Sequence, residues 1–229
     1  MLEKRMKSFL TILCLTFISF SFAYAEPCKK FQEYTIIPTD ESSKNRSFSE
    51  FKKELDKALG SKDSKFLNKI IDPEIKFSFG ADSGKKGFWK EWGLDKNPEK
   101  SEIWAALQNT LRFGIVQSDP EQFTSPTIYS KFPENLDAFE YSWISGKNVN
   151  IRESADINSK VIDNLSYQIV KLDTEDAIES KSCVWKKVCL ASGKSGYVCD
   201  TYLRSSVDYR AFFSFKKDQW KLTIFVAGD

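Results

Sequence analysis

The chain has 229 residues, 34 of them basic and 32 acidic, and it contains no histidine. Absence of histidine excludes Ser-His-Asp and Cys-His catalysis and any histidine-bearing zinc site. The near-balanced charge, with no Lys/Arg cluster, excludes a nucleic-acid surface, which needs concentrated cations to release phosphate counterions.

Met1 to Lys7 is short and basic, Ser8 to Phe22 is almost wholly apolar or small, and Ala23-Tyr24-Ala25 is a small-x-small cleavage site. This layout predicts a cleavable export signal over residues 1–25 and a periplasmic or extracellular protein. The apolar run is shorter than the roughly 20 residues a membrane-spanning helix needs. No later segment is apolar enough to span, so no integral membrane protein is expected. Neither Cys14 nor Cys28 follows the small residues that a lipidation site wants. Removing the signal, with its Lys4, Arg5, Lys7 and Glu3, leaves 204 residues carrying 31 charges of each sign.

Cys28, Cys183, Cys189 and Cys199 remain. An even number in an exported chain predicts disulfides. If 183–189 is an extended strand, its ends lie roughly 20 Å apart, whereas a disulfide needs Cα atoms about 4.4–6.8 Å apart. Cys28 is therefore expected to pair with Cys183 or Cys189, and Cys199 with the other.

Residues 26–46 are polar and predict a tether or a loose first strand at Tyr34 to Ile37. Ser47-Phe-Ser-Glu50 has the spacing of a capping box. Phe48, Phe51, Leu55, Ala58 and Leu59 follow at helical spacing, with Gly60 as the stop. A second short helix carries Phe66, Leu67, Ile70 and Ile71 and is expected to end at Asp72-Pro73. Ile75, Phe77 and Phe79 alternate as a strand. After the turn Gly80 to Gly87, Ser101 is placed to cap a third helix with Ile103, Trp104, Leu107 and Leu111 on one face. Phe79, Phe88, Trp89, Trp92 and Trp104 are expected to pack this domain. The pattern predicts an α+β domain over 47–142. Its order of helix, short helix, strand, helix and strands, with Ala58-Leu-Gly-Ser-Lys-Asp63 between two helices, resembles the nuclear-transport-factor-2-like superfamily.

From Trp143 to Leu203 the chain shows short strands, regular turns and no helical periodicity. Gly146-Lys-Asn-Val149-Asn150-Ile151-Arg152, Ser159-Lys-Val161-Ile162-Asp-Asn-Leu165, Trp185-Lys-Lys-Val188, Ser192-Gly193-Lys-Ser-Gly196-Tyr197-Val198 and Thr201-Tyr202-Leu203 carry a second resemblance, to the bacterial Src-homology-3 (SH3) domain family, over about 143–204. Glu153-Ser154-Ala155 and Cys199 depart from that family's pattern. The resemblance implies a small SH3-like β-barrel, as do the alternation and the Ser-Gly turns. It also implies binding of a cell-wall peptide or an envelope protein. Residues 205–229 form a further hairpin with apolar residues on both faces, which expects cover on both. It either completes the 47–142 sheet, making the barrel an insertion, or extends the barrel.

Candidate chemistry is sparse. Gly80-x3-Gly84-Lys85-Lys86 lacks the spacing and the Ser/Thr of a phosphate loop. The carboxylates Asp72/Glu74, Asp137/Glu140 and Asp173/Glu175/Asp176 are scattered, and sequence shows only their spacing; Asp173 to Asp176 reads most simply as a solvated acidic turn before Trp185. A calcium loop would want more ligands at alternating spacing than that run has. No catalytic residue, metal ligand or cofactor is assigned. The expected ligand-binding residues are Trp185, Tyr197, Tyr202 and Tyr167, whose flat rings can line a groove for an extended peptide. The expected function is a non-enzymatic exported binding protein. The alternatives are an enzyme using Asp/Glu, Tyr and Lys in the cone of the first domain, and an adaptor in which the barrel braces that domain.

Overall fold

The computed structural model describes residues 28–80, 83–181 and 183–228, and of 174–176 the backbone alone. The expected export signal lies outside these residues. In chain order the helices and strands of the first part are α1 (Arg46–Ser61), α2 (Ser64–Ile70), β1 (Ile71–Lys76), α3 (Lys85–Glu91), α4 (Ile103–Leu111), β2 (Val116–Asp119), β3 (Gln122–Ser125) and α5 (Thr127–Lys131). There follow β4 (Tyr141–Ile144), β5 (Val149–Arg152), β6 (Val161–Leu165), β7 (Ile169–Glu179), β8 (Val184–Cys189), β9 (Ser195–Cys199), β10 (Leu203–Arg204), β11 (Arg210–Lys216) and β12 (Gln219–Val226). The fold is mixed α+β with two sheets.

Local chemistry sets the helix ends, in places differently from the expectation. The α1 cap is Asn45, whose side chain accepts the Phe48 N–H at 3.1 Å. Ser47 sits one residue inside the helix, where its hydroxyl donates to Asn45 and accepts the Trp220 indole N–H at 3.0 Å. Gly60 is internal, and Lys62 takes the left-handed closing position with φ 54°. The reason is the next residue: Asp63 caps α2 by accepting from the N–H groups of Lys65 and Phe66, which fixes the joint at Lys62. Asp72-Pro73 does not end α2, because β1 has already begun at Ile71. A proline is tolerated there because β1 is an edge strand. The α3 helix carries Phe88 and was not marked by the sequence pattern, whereas α4 buries Ile103, Trp104, Leu107 and Leu111 as its spacing predicted. Ser101 does accept the Ile103 N–H, at 3.2 Å.

The first sheet has the order β1-β12-β11-β3-β2. The C-terminal hairpin therefore lies in the middle of a sheet whose other strands come from before residue 126. Its turn is Lys217-Asp218, both at positive φ, the two-residue geometry that matches strand twist. Phe213, Leu222 and Phe225 join Phe48, Leu55, Phe88, Trp104 and Phe123 in one core between sheet and helices. Phe212 and Ile224 remain half-buried on the other face. Phe79, expected inside, is 59% exposed.

The second sheet has the order β10-β4-β7-β8-β9-β5-β6, an open run whose inward residues Ile144, Val149, Ile151, Val170, Val188 and Val198 form a separate core. Its entry and exit strands pair with each other, Leu203 with Ile144 and Arg204 with Trp143. A third cluster, Ile36, Phe113, Ile128, Trp143 and Ile169, joins the two sheets.

Residues 28–45 are not a tether. Cys28 is disulfide-bonded to Cys189. Tyr34 C=O accepts from Ile169, and Ile36 donates to Tyr167 C=O. Thr39 C=O and the Glu41 N–H bracket Ile115. The segment is polar in composition, but its backbone groups are paired and Ile36 is buried, so it runs as a strap from the second sheet to the first.

Candidate functional site: a cleft at Tyr202 and Trp185

Of the four aromatic residues expected to bind ligand, the structure brings two together. Trp185 lies on β8, in register between Ile178 of β7 and Cys199 of β9. It is only 2% exposed, which corrects the expectation of a surface ring: the indole sits in a covered position where its N–H finds a side-chain partner. Its indole N–H donates to Ser180 Oγ at 3.2 Å. Tyr202 ends the short helical turn Asp200–Tyr202 and is 47% exposed. A Cβ added at Gly146 would sit 3.6 Å from the Tyr202 ring, so the loop before β5 backs it closely. The Tyr202 C=O accepts the Ser145 N–H at 2.8 Å, which holds the turn against that loop.

Both residues line a cleft of about 160 Å³. Lys147, Asn150, Arg152 and Ile157 complete much of its wall, and none of the described residues lining it is a carboxylate. Arg152 donates to the Ser159 carbonyl at 2.7 Å, which orients its guanidinium. Asn150 accepts from Asn164 at 2.9 Å. Cys199, in the same wall, is bonded to Cys183. The arrangement offers an aromatic face, cationic and amide donors, and a disulfide-braced wall.

Tyr167 and Tyr197 stand apart from this cleft. Tyr167 occupies the turn between β6 and β7 with φ 63° and stacks on Trp143 at 5.6 Å. Its carbonyl accepts the Trp143 indole N–H at 2.9 Å, so it serves the junction between the sheets. Tyr197 is half-buried on β9, paired with Lys187 and Arg152. Sequence reasoning missed Asn150 and Arg152. The signal was present: Val149 and Ile151 alternate with them, so burying the two apolar residues turns Asn150 and Arg152 to the opposite face.

Of the two disulfide patterns left open, the structure holds Cys28–Cys189 and Cys183–Cys199. Asp173 lies beside the first pair and Asp200 beside the second. Bridged sulfurs have no thiolate to offer a metal, so neither group is a metal site while oxidised. In the first domain, apolar side chains fill the space between helices and sheet. Buried Asp72 is paired with Lys216 at 3.0 Å. Among the described residues, no helix is long and apolar enough to cross a membrane. No family model, curated protein or solved structure matches the chain.

Proposed function

We propose that the chain is an exported binding protein whose second sheet takes extended, carboxylate-bearing peptides of the cell envelope, with peptidoglycan stem peptides as the first choice. The observation that carries this reading is the cleft that exposed Tyr202 and Trp185 line together with Lys147 and Arg152, with no carboxylate among the described residues of its lining. A flat ring supplies contact area at little entropic loss. Arg152, oriented by the Ser159 carbonyl, and the nearby Lys147 favour a carboxylate, which a guanidinium meets with charge-assisted hydrogen bonds. The resemblance of 143–204 to bacterial SH3 domains supports the same ligand class, and the export signal with two disulfides supports an oxidising setting outside the cytoplasm.

Co-sedimentation with purified sacculi, alongside capture from an envelope protein extract, tests the proposal. Retention on sacculi that falls about tenfold in Tyr202→Ala is the expected result. Retention by neither material, with folded protein, overturns the proposal, and capture only from the extract replaces the stem peptide by an envelope protein.

A further inference from the structure

A second cavity, of about 500 Å³, opens on the first domain, away from the peptide cleft. Its apolar lining is aromatic: Phe77, half-buried Trp92, and Tyr209 at 39% exposure. These rings are fixed from below. Tyr209 stacks on buried Phe225 at 4.9 Å with an interplanar angle of 11°, and Trp92 contacts Tyr209 and Phe225 at 5.5 and 5.6 Å.

The rim is a loop from Trp92 to Ser101, and the chain clamps it. The Ser101 hydroxyl donates to the Trp92 carbonyl at 2.6 Å, closing the loop at its base. The Trp104 indole N–H donates to the Pro98 carbonyl at 2.6 Å, and buried Leu94 anchors the start. A rim held this way loses little freedom on binding. Its charged groups are Lys96 and Lys100 against Glu91 and Glu102, with Asn97 between them. Two cations and two anions leave no net preference for a charged ligand. Together they present both donors and acceptors around an aromatic shelf. Burial first, and then Glu91 and Glu102, push the Tyr209 phenol above its ordinary pKa, so it stays a protonated donor.

We infer that this cavity binds a neutral pyranose oligosaccharide, with a sugar's C–H face on the Tyr209 and Trp92 rings and its hydroxyls on the Lys, Glu and Asn rim. A pyranose has the matching duality: an apolar face, and a girdle of hydroxyls that each donate and accept. The volume lies within the usual range for small-molecule sites, about 300–1,000 Å³. The inference stands apart from the peptide cleft, with which this cavity shares no lining residue.

The test is titration of the folded protein with tri-N-acetylchitotriose and, separately, cellotriose, followed by heat and by tryptophan emission. Saturable binding of at least one, with Kd near or below about 1 mM, is expected. Asn97→Ala, on the exposed rim, should weaken it about tenfold, and Tyr209→Phe, which keeps the ring, about threefold. Tyr202→Ala should leave it unchanged. No saturable signal with either sugar overturns the inference, as does binding that is indifferent to both Asn97→Ala and Tyr209→Phe. Because neither sugar carries peptide, failure here leaves the peptide proposal standing, and loss of peptide binding leaves this one standing.

Discussion

Tyr202 and Trp185 adjoin one cleft but do different work, and substitution separates them. Tyr202 is exposed, so Tyr202→Ala should leave the melting temperature within a degree or two while abolishing most retention on sacculi. Trp185 is buried on an interior strand, so Trp185→Ala should destabilise by roughly 3–5 kcal/mol, read by denaturant titration. Gly114 is a third decisive residue. It lies at φ +91°, and an added Cβ would meet Thr127 Oγ1 at 2.2 Å and the Thr39 carbonyl at 2.6 Å. Strap, α5 and the approach to β2 converge there, so Gly114→Ala should lower the melting temperature sharply, whereas Gly60→Ala, in open space on α1, should not.

Cys28–Cys189 spans 161 residues of sequence. Chain-entropy arguments put the stabilisation from closing so long a loop at about 5 kcal/mol at most. Thermal melts of the Cys28→Ser/Cys189→Ser double variant should show a lower transition than the native chain, and reductant should lower the native chain in the same direction. The far end of the strap responds to acid. Burial alone would raise the Asp40 pKa, but hydrogen bonds from Ser42 and the Lys52 charge outweigh it, and the net shift is downward. The Glu41 carboxylate is lowered by the Lys44 hydrogen bond, against burial, and by the Gln117 N–H. A carboxylate with a depressed folded pKa adds stability that is present above its unfolded value, roughly 4, and is lost as pH falls through the folded value. Stability should therefore drop below about pH 4, and Glu41→Gln should flatten part of that drop in an acid denaturation series.

The strap is also where composition misled. Polar side chains marked residues 26–46 as loose, but residues 34–41 are held by backbone pairing to Tyr167, Ile169 and Ile115, which no residue pattern records. Where apolar spacing decided the outcome, as in α1 and α4, the elements were legible. Where a neighbour decided it, as with Asp63 closing α1 at Lys62, they were not. In the candidate site the aromatic residues were visible, but ring type does not reveal strand position. Trp185 is 2% exposed while Ile178, its partner on β7, is 45% exposed, a difference that no alternation of residue types records. The cations beside it became meaningful only once β5 and the Tyr202 turn were adjacent.

For the molecule as a whole, the arrangement is discontinuous. The chain leaves the first sheet after β3, builds the second between the paired strands β4 and β10, and returns to place β11 and β12 at the centre of the first. Truncation after residue 205 removes those central strands and, with them, the Phe213 and Trp220 rings that pack on Phe48. It should leave no protease-resistant helical fragment and a collapsed far-UV signal. The cluster of Trp143, Ile36, Phe113 and Ile128 packs between the two sheets, which carry the Tyr202 cleft and the Tyr209 cavity. The most direct test of the central claim is calorimetric titration of the folded protein with a stem tetrapeptide freed of its sugar. Saturable binding that Tyr202→Ala and Arg152→Ala each weaken about tenfold is expected. Absence of binding, or binding that both variants retain in full, would contradict that claim.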